Sequence, residues 1–401
     1  MGVGAWRNVR NMRIGFQSIR ACIRAAATTA AGIALTLSAA TAASPAQAAE
    51  PALAAPGAPM RIVPEQVPPT FPMPTGRELK VPPEFFSAVC SQGPIGTVRT
   101  PDGTQRVMLT ASHCVNTLPG RLPVKNEIST PVGQQYIRLG ERVASNHVAP
   151  RAMDLSDPME SIRTADWGVV RLDDAVVDTS LAQSRDWDGG TPSEPVRLTT
   201  IRDYRTLAPG EVSVDNFGQP ICKDGSTSGR TCAQQIGRTR NGVYSWNLGY
   251  AQGDSGGVNF DPRDGAIIGV SSMTLGPLGK TQPADRIIED AYGVADGHVN
   301  DVFTVTDSTA PHANFDVPGN EEKRVAAEIE RMNPGVTPPV PREELRKAIG
   351  EAQGEAQQIA DRAVRGDVDV REVQQRAEHH ADQIAFWGTV TAVEEVIGRL
   401  P

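Results

Sequence analysis

Three short stretches carry residue types that could do chemistry together: TASHC at 110–114, ADWGVVRL at 165–172 and AQGDSGGVNF at 251–260. They offer the imidazole of His113, the carboxylate of Asp166 and the hydroxyl of Ser255. A serine hydroxyl is a weak nucleophile near neutral pH, so it needs a base to take its proton, and an imidazole base works best when an anion orients it. An alcohol, an imidazole and a carboxylate therefore suffice for acyl transfer through a covalent intermediate. Taken singly, each has a plainer reading: a polar residue in a glycine turn, a histidine on the surface or in the core, an aspartate capping a strand.

Such side chains have to be held by rigid elements. From Phe85 to residue 306 the chain runs as short apolar stretches, RVMLTA, QQYIRLG, WGVVRL, EVSVDNFG, GVYSWN and AIIGVSS, broken by Gly, Pro, Asn and Asp. This texture predicts an antiparallel β barrel or sandwich over 85–306, with His113 just past one strand end and Asp166 at the entrance to another. Residues 49–84 hold prolines at 51, 56, 59, 64, 68, 69, 72, 74, 82 and 83. So many missing donors argue against a helix or central strand, and the segment reads as a linker or short propiece. Residues 307–341, with Pro311, Pro318, Pro334, Pro338, Pro339 and Pro341, read as a second connector in which EEKRVAAEIERM could form a brief helix. Over 342–401, Leu345, Ile349, Ala352, Ala356, Ile359 and Ala363 recur at helical spacing, Gly366-Asp367 interrupts, and Val373, Ala377, Ala381 and Ile384 resume the stripe. This predicts a helical hairpin, either a solvated appendage or a module for a protein or cell-envelope partner.

At the amino terminus, Arg7, Arg10, Arg13, Arg20 and Arg24 precede AAATTAAGIALTLSAATAA and then Ala46-Gln47-Ala48. That is the order of a secretory signal peptide over 1–48, cleaved after Ala48, which implies a secreted protein with no stable membrane span once it is removed. A membrane anchor is the alternative, weakened by the richness in alanine and threonine. Export removes Cys22 and leaves Cys90, Cys114, Cys222 and Cys232, four thiols that an oxidising compartment converts to two disulfides. No CxxC or HExxH spacing occurs, and no metal or organic cofactor is expected. The net charge of −8 argues against nucleic acid and against a polybasic membrane contact.

The chain order His113, Asp166, Ser255 is that of the chymotrypsin type among the common serine-protease arrangements. TASHC, DWGVVRL and GDSGG resemble the three signature segments of the chymotrypsin-like (trypsin-like) serine proteases. ICKDGSTSGRTC is similar to the disulfide-closed hairpin of their bacterial secreted branch, the streptogrisins and α-lytic protease. The resemblance spans roughly residues 85–305 and implies a mainly β, two-barrel antiparallel domain, here followed by the α-helical hairpin. It implies Ser255 as nucleophile, His113 as general acid and base, and Asp166 as the group that orients the imidazole. It further implies an oxyanion hole from the N–H groups of Gly253 and Ser255, and Ser272 as hydrogen-bond partner of Asp166, with Ser271 as the alternative. The implied disulfides are Cys90–Cys114 and Cys222–Cys232, each contributing on the order of 3 kcal/mol.

Two features depart from the family. Animal members switch on when a newly cut Ile-Val terminus pairs with the aspartate before the nucleophile, whereas Ile62-Val63 here is followed by proline. Asp254 therefore needs another cation. Lys223, where the bacterial branch carries an arginine, is expected to supply it; a solvated lysine at a hairpin tip is the alternative. The position six before Ser255 is Gly249, where trypsin-type members have an aspartate, so cleavage after Arg or Lys is not expected. Met273 and Thr274 replace the Gly-Gly of the pocket wall and Tyr250 adds bulk, which favours small or medium apolar residues. The expectation is a secreted serine endopeptidase acting on protein or peptide substrates. Its rival is a protease-like binding protein with an occluded specificity pocket.

Overall fold

The computed structural model describes residues 49–72, 78–118, 121–146, 163–335 and 341–364, with parts of 371–383. The expected signal peptide lies outside the described residues, and those from Ala49 onward belong to one unit.

The first barrel is built from β1 (Pro59–Pro64), β4 (Ala88–Ser91), β5 (Ile95–Thr100), β6 (Gly103–Thr110), β7 (Val124–Val132), β8 (Gln135–Ser145) and β9 (Gly168–Leu172). A small hairpin, β2 (Thr70–Pro72) with β3 (Glu78–Lys80), lies outside it. The strands pair in the order β5-β6-β9-β8-β7-β1-β4. Because β4 and β5 are two halves of one strand interrupted at residues 92–94, pairing of β4 with β1 and of β5 with β6 closes six strands. Met60, Ile62, Ile95, Met108, Ile128, Leu139, Val170 and Leu172 fill it.

Short strands β10 (Leu181–Ala182), β11 (Val196–Arg197) and β12 (Val212–Ser213) lead to the second barrel. Its members are β13 (Pro220–Gly225), β14 (Gly229–Thr239), β15 (Gly242–Trp246), β16 (Val258–Phe260), β17 (Ile267–Leu275) and β18 (Leu278–Pro283). They run β14-β13-β16-β17-β18-β15, and the β14–β15 pairing closes the ring. Ile221, Val243, Leu248 and Ile268 pack together there. Between the barrels, Leu109, Trp167 and Val169 meet Val258, Phe260, Val270 and two isoleucines, Ile287 and Ile288, of helix α1 (Ala284–Tyr292). This shared apolar seam fixes one barrel against the other, so residues contributed by both can share one site.

The structure draws two boundaries differently from the sequence reading. Of residues 49–84, expected as a linker or propiece, the stretch 52–64 belongs with the first barrel: β1 pairs with both β4 and β7, and Ala52, Ala54, Ala55 and Ala58 are buried. Proline removes a donor but keeps an acceptor. Pro59 O takes hydrogen bonds from Thr130 Oγ1 at 2.8 Å and Gln92 Nε2 at 3.1 Å, and Pro64 sits beyond a register shift at the strand end. The prolines thus mark strand ends and an irregularity, which a strand tolerates.

Residues 307–341, expected as a connector, fold back over that segment. After α2 (Val299–Val302), β19 (Phe303–Val305) adds to the edge of β5, and Ala52 N–H donates to Pro311 O at 2.8 Å. Helix α3 (Pro318–Met332) docks through Glu321, whose carboxylate pairs at 2.5 Å with the fully buried guanidinium of Arg61 and accepts from the Tyr136 hydroxyl. The barrel unit accordingly starts near Ala49 and extends through α3. Beyond it α4 (Pro341–Val364) is helical, and Arg362 to Glu372 at 3.2 Å, with Arg376 and His380 to Glu355, ties it to the described residues after 370. Ala381 and Ile384 of the second expected helix lie outside the described residues. No described helix is long and apolar enough to cross a membrane.

Candidate active site

Strands β6 and β9 pair with Thr110 opposite Gly168, so residues just past the end of one meet residues just before the other. That register brings His113, on a 3-10 turn at Ser112–Cys114, to Asp166. His113 Nδ1 lies 2.9 Å from Asp166 Oδ2, and the His113 backbone N–H donates to Oδ1 at 3.1 Å. Ser272 Oγ donates to Asp166 Oδ2 at 2.7 Å, while Ser271, the alternative, bonds Asn259 Oδ1 instead. Gln282 Oε1 accepts the Asp166 N–H at 2.8 Å.

Asp166 is fully buried. Burial alone would raise its pKa, but the His113 charge, the hydrogen bonds from His113 and Ser272, and the charge of Lys280 hold the carboxyl well below the usual carboxylate range. For His113 burial opposes the cation, yet the Asp166 charge and hydrogen bond outweigh it, so the ring titrates above 6.5; Lys280 pulls the other way. The result is an anion beside an imidazole whose Nδ1 is committed. Nε2 is the nitrogen left to accept a proton.

Ser255 reaches this corner from the second barrel. Val258 lies opposite Val270, and Ser271 N–H donates to Gly257 O at 2.9 Å while Gly256 N–H donates to Ser271 O at 2.8 Å. The serine turn is therefore laid alongside Ser271 and Ser272. From the first barrel, Ser91 N–H donates to Ser255 O at 2.8 Å, and the adjacent Cys90 is bridged to Cys114, the neighbour of His113. Among the described residues the His113 ring bonds only Asp166, and Ser255 Oγ makes no hydrogen bond to Nε2. Such bonds commonly tighten when substrate fills the site.

Neither the Gly253 nor the Ser255 N–H has a protein acceptor among the described residues. Gly253 has φ near 100°, and a Cβ there would collide with Thr227 Oγ1, so glycine is required on both counts. Its neighbour Asp254 anchors the loop from below. The Asp254 carboxylate accepts the N–H groups of Thr227 and Ser228 at 3.0 Å each and of Ala251 at 2.9 Å, and the Ser228 hydroxyl. Lys223 Nζ lies 3.0 Å from Asp254 Oδ2, with both side chains buried, and spends its other donors on Ser228 Oγ at 2.7 Å and Gly229 O at 2.9 Å. The Cys222–Cys232 disulfide joins directly opposed residues of β13 and β14 beside this pair.

Tyr250 occupies the space between the serine turn and β18. Its hydroxyl bonds Thr281 Oγ1 at 2.9 Å and accepts from Asn259 Nδ2 at 2.6 Å, and burial pushes the phenol up to about 12. A Cβ on Gly279 would strike the ring, so the tyrosine fits only because glycine stands opposite. Gly249, at φ 73°, lets the chain turn into this segment, while Met273 and Thr274 lie at the far end of β17, with Thr274 exposed. Ser91, Gln282 and Lys280 carry no sequence signal, because their partners lie far along the chain, and Ser228 sits in an ordinary hairpin turn.

Two groups of described residues bring potential metal ligands together. In Cys90, His113 and Cys114 the sulfurs are spent in a disulfide; Asp203, Glu289 and Asp296 take donors from Val299 and Thr206.

Two closed antiparallel barrels, one carrying the His113–Asp166 corner and the other the Ser255 turn, define a chymotrypsin-like fold. Solved structures similar to the chain are bacterial serine proteases. They include Thermobifida fusca protease A (17% identity, 63% of this chain, 99% of that one, TM-score 0.36). A Nocardiopsis protease (19%, 51%, 90%, 0.33) and Cellulomonas bogoriensis chymotrypsin (18%, 64%, 99%, 0.33) are others. At such identities and TM-scores these likenesses say nothing of activity; strand order and register define the fold. No protein-family model matches the chain, and no curated protein matches it.

Proposed function

We propose that this protein is a secreted serine endopeptidase that hydrolyses peptide bonds through an acyl-enzyme. The observation that carries the proposal is the buried Asp166 carboxylate holding His113 by both Nδ1 and the backbone N–H, which leaves Nε2 as the base at the corner where Ser255 is tethered. Ser255 Oγ attacks the peptide carbonyl as His113 takes its proton, and the imidazolium then protonates the leaving amine. The Gly253 and Ser255 N–H groups stabilise the oxyanion, about 3 kcal/mol for one donor. Water, activated by the same ring, releases the acyl group. Two disulfides fit export to an oxidising compartment, with 1–48 as signal peptide.

The partly buried Tyr250 ring, packed against Gly279, supports a shallow pocket that takes small or medium apolar residues at the cleaved bond, not Arg or Lys. The same ring favours a second reading, a binding protein whose pocket is closed to substrate. A peptide library digested by the purified mature chain and by its Ser255→Ala variant separates them. Cleavage after small or medium apolar residues by the parent and none by the variant is the expected result. An inert parent favours the binding reading, and cleavage after Arg or Lys overturns the pocket assignment.

A further inference from the structure

Side chains alternate in direction along β18. Thr281 faces Tyr250 and Asn259, whereas Lys280 and Gln282 reach the loop of the first barrel that carries Asp166. Gln282 accepts the Asp166 N–H, and Lys280 Nζ donates to the carbonyl of Thr164, two residues earlier. With Ser272 of β17 on the Asp166 carboxylate, one hairpin of the second barrel grips this loop at three points.

Lys280 is only 1% exposed. Its ammonium donates to a neutral carbonyl, and Asp166 is the charge that offsets it. Among the described residues the other titratable or charged groups around it are His113, the phenol of Tyr244, which lies opposite Lys280 and bonds Thr239 at 3.0 Å, and Arg163 beside Thr164. Burial lowers the Lys280 pKa to about 8 although Asp166 raises it. A lysine whose folded pKa is depressed costs stability while charged, a cost that an apolar side chain of similar length would not carry. A charged group retained at that cost beside an acid–base pair points to a role in setting the pair's chemistry.

We propose that Lys280 is a positioning residue for the Asp166–His113 pair: tied to Thr164 O, it locks the Asp166 loop onto the second barrel and places a positive charge behind the carboxylate. The kinetic consequence rests on the endopeptidase reading; the effect on His113 does not. A nearby cation disfavours the imidazolium, so its removal raises the His113 pKa.

The test follows the His113 ring by NMR and kcat/KM against pH in the parent, Lys280→Met and Lys280→Arg. In the parent, kcat/KM is expected to rise through a midpoint above 6.5 as His113 loses its proton and to decline near pH 8 as Lys280 loses its own. Lys280→Met is expected to move the His113 titration and the acid limb to higher pH, remove the decline near 8, and lower kcat about tenfold with KM unchanged. Lys280→Arg, charged throughout, is expected to keep the parental acid limb and lose the alkaline decline. A His113 titration unmoved in Lys280→Met overturns the proposal whether or not peptides are cleaved. A moved titration in a protein that cleaves nothing supports it, and overturns the endopeptidase reading alone.

Discussion

Asp166→Asn is expected to lower kcat about ten-thousandfold while the protein stays folded. Asparagine has nearly the same shape, but the Ser272 hydroxyl and the His113 backbone N–H bond different carboxylate oxygens, at 2.7 and 3.1 Å, and asparagine keeps only one of the two. Its amide oxygen cannot serve those donors and His113 Nδ1–H as well as two carboxylate oxygens do. With the amide nitrogen turned toward Nδ1, the ring carries its proton on Nε2 instead and has no lone pair for the Ser255 proton. The anion that raises the His113 pKa is lost too, so the ring is also a weaker base. Turnover by purified Asp166→Asn, beside a thermal melt matching the parent, checks this. A folded variant keeping a tenth of the parental kcat would remove Asp166 from the mechanism.

Lys223→Met is expected to destabilise the protein by about 3–5 kcal/mol, because it leaves the Asp254 charge buried without a cation. Both side chains are at most 1% exposed, so water does not take over. The remaining donors, from Ala251, Thr227 and Ser228, are dipoles and do not neutralise the carboxylate. Since Asp254 lies between Gly253 and Ser255, any drift of its carboxylate moves both oxyanion donors, and kcat should fall by about a hundredfold or more. The ammonium is a point charge, not a planar fork, so the grip depends on the three contacts Lys223 makes at once. Adding Asp254→Asn removes the stranded charge and should restore much of the stability without restoring full turnover. Denaturant unfolding of the single and double variants measures this. A single variant within about 1 kcal/mol of the parent would mean the pair does not anchor the loop.

The segments with chemistry in them stand out because each puts a functional side chain at the end of an apolar run, and antiparallel pairing makes run ends meet. Thr110 faces Gly168 and Val258 faces Val270, which carries His113 to Asp166 and Ser255 to Ser272. The β1 strand is hidden in the sequence because dense prolines signal missing donors, whereas the Pro59 carbonyl accepts two bonds inside the barrel. Glu321 opens the brief helix EEKRVAAEIERM; its partner Arg61 lies in a segment far away in sequence, and no local pattern links them. In LGKTQP nothing local shows that the face bearing Lys280 and Gln282 is covered by the loop of the other barrel. Local periodicity reports strands and helices. It does not report which barrel covers which face.

Reaction of the mature chain with a fluorophosphonate, followed by mass mapping of the adduct, measures the central claim most directly, since the reagent captures a serine oxygen only where a base has made it nucleophilic. One phosphonyl group on the peptide containing Ser255, and none after Ser255→Ala or His113→Ala, is the result predicted. A folded parent that takes up no label, or carries it on another serine, would contradict the assignment of Ser255 and His113 as an activated pair.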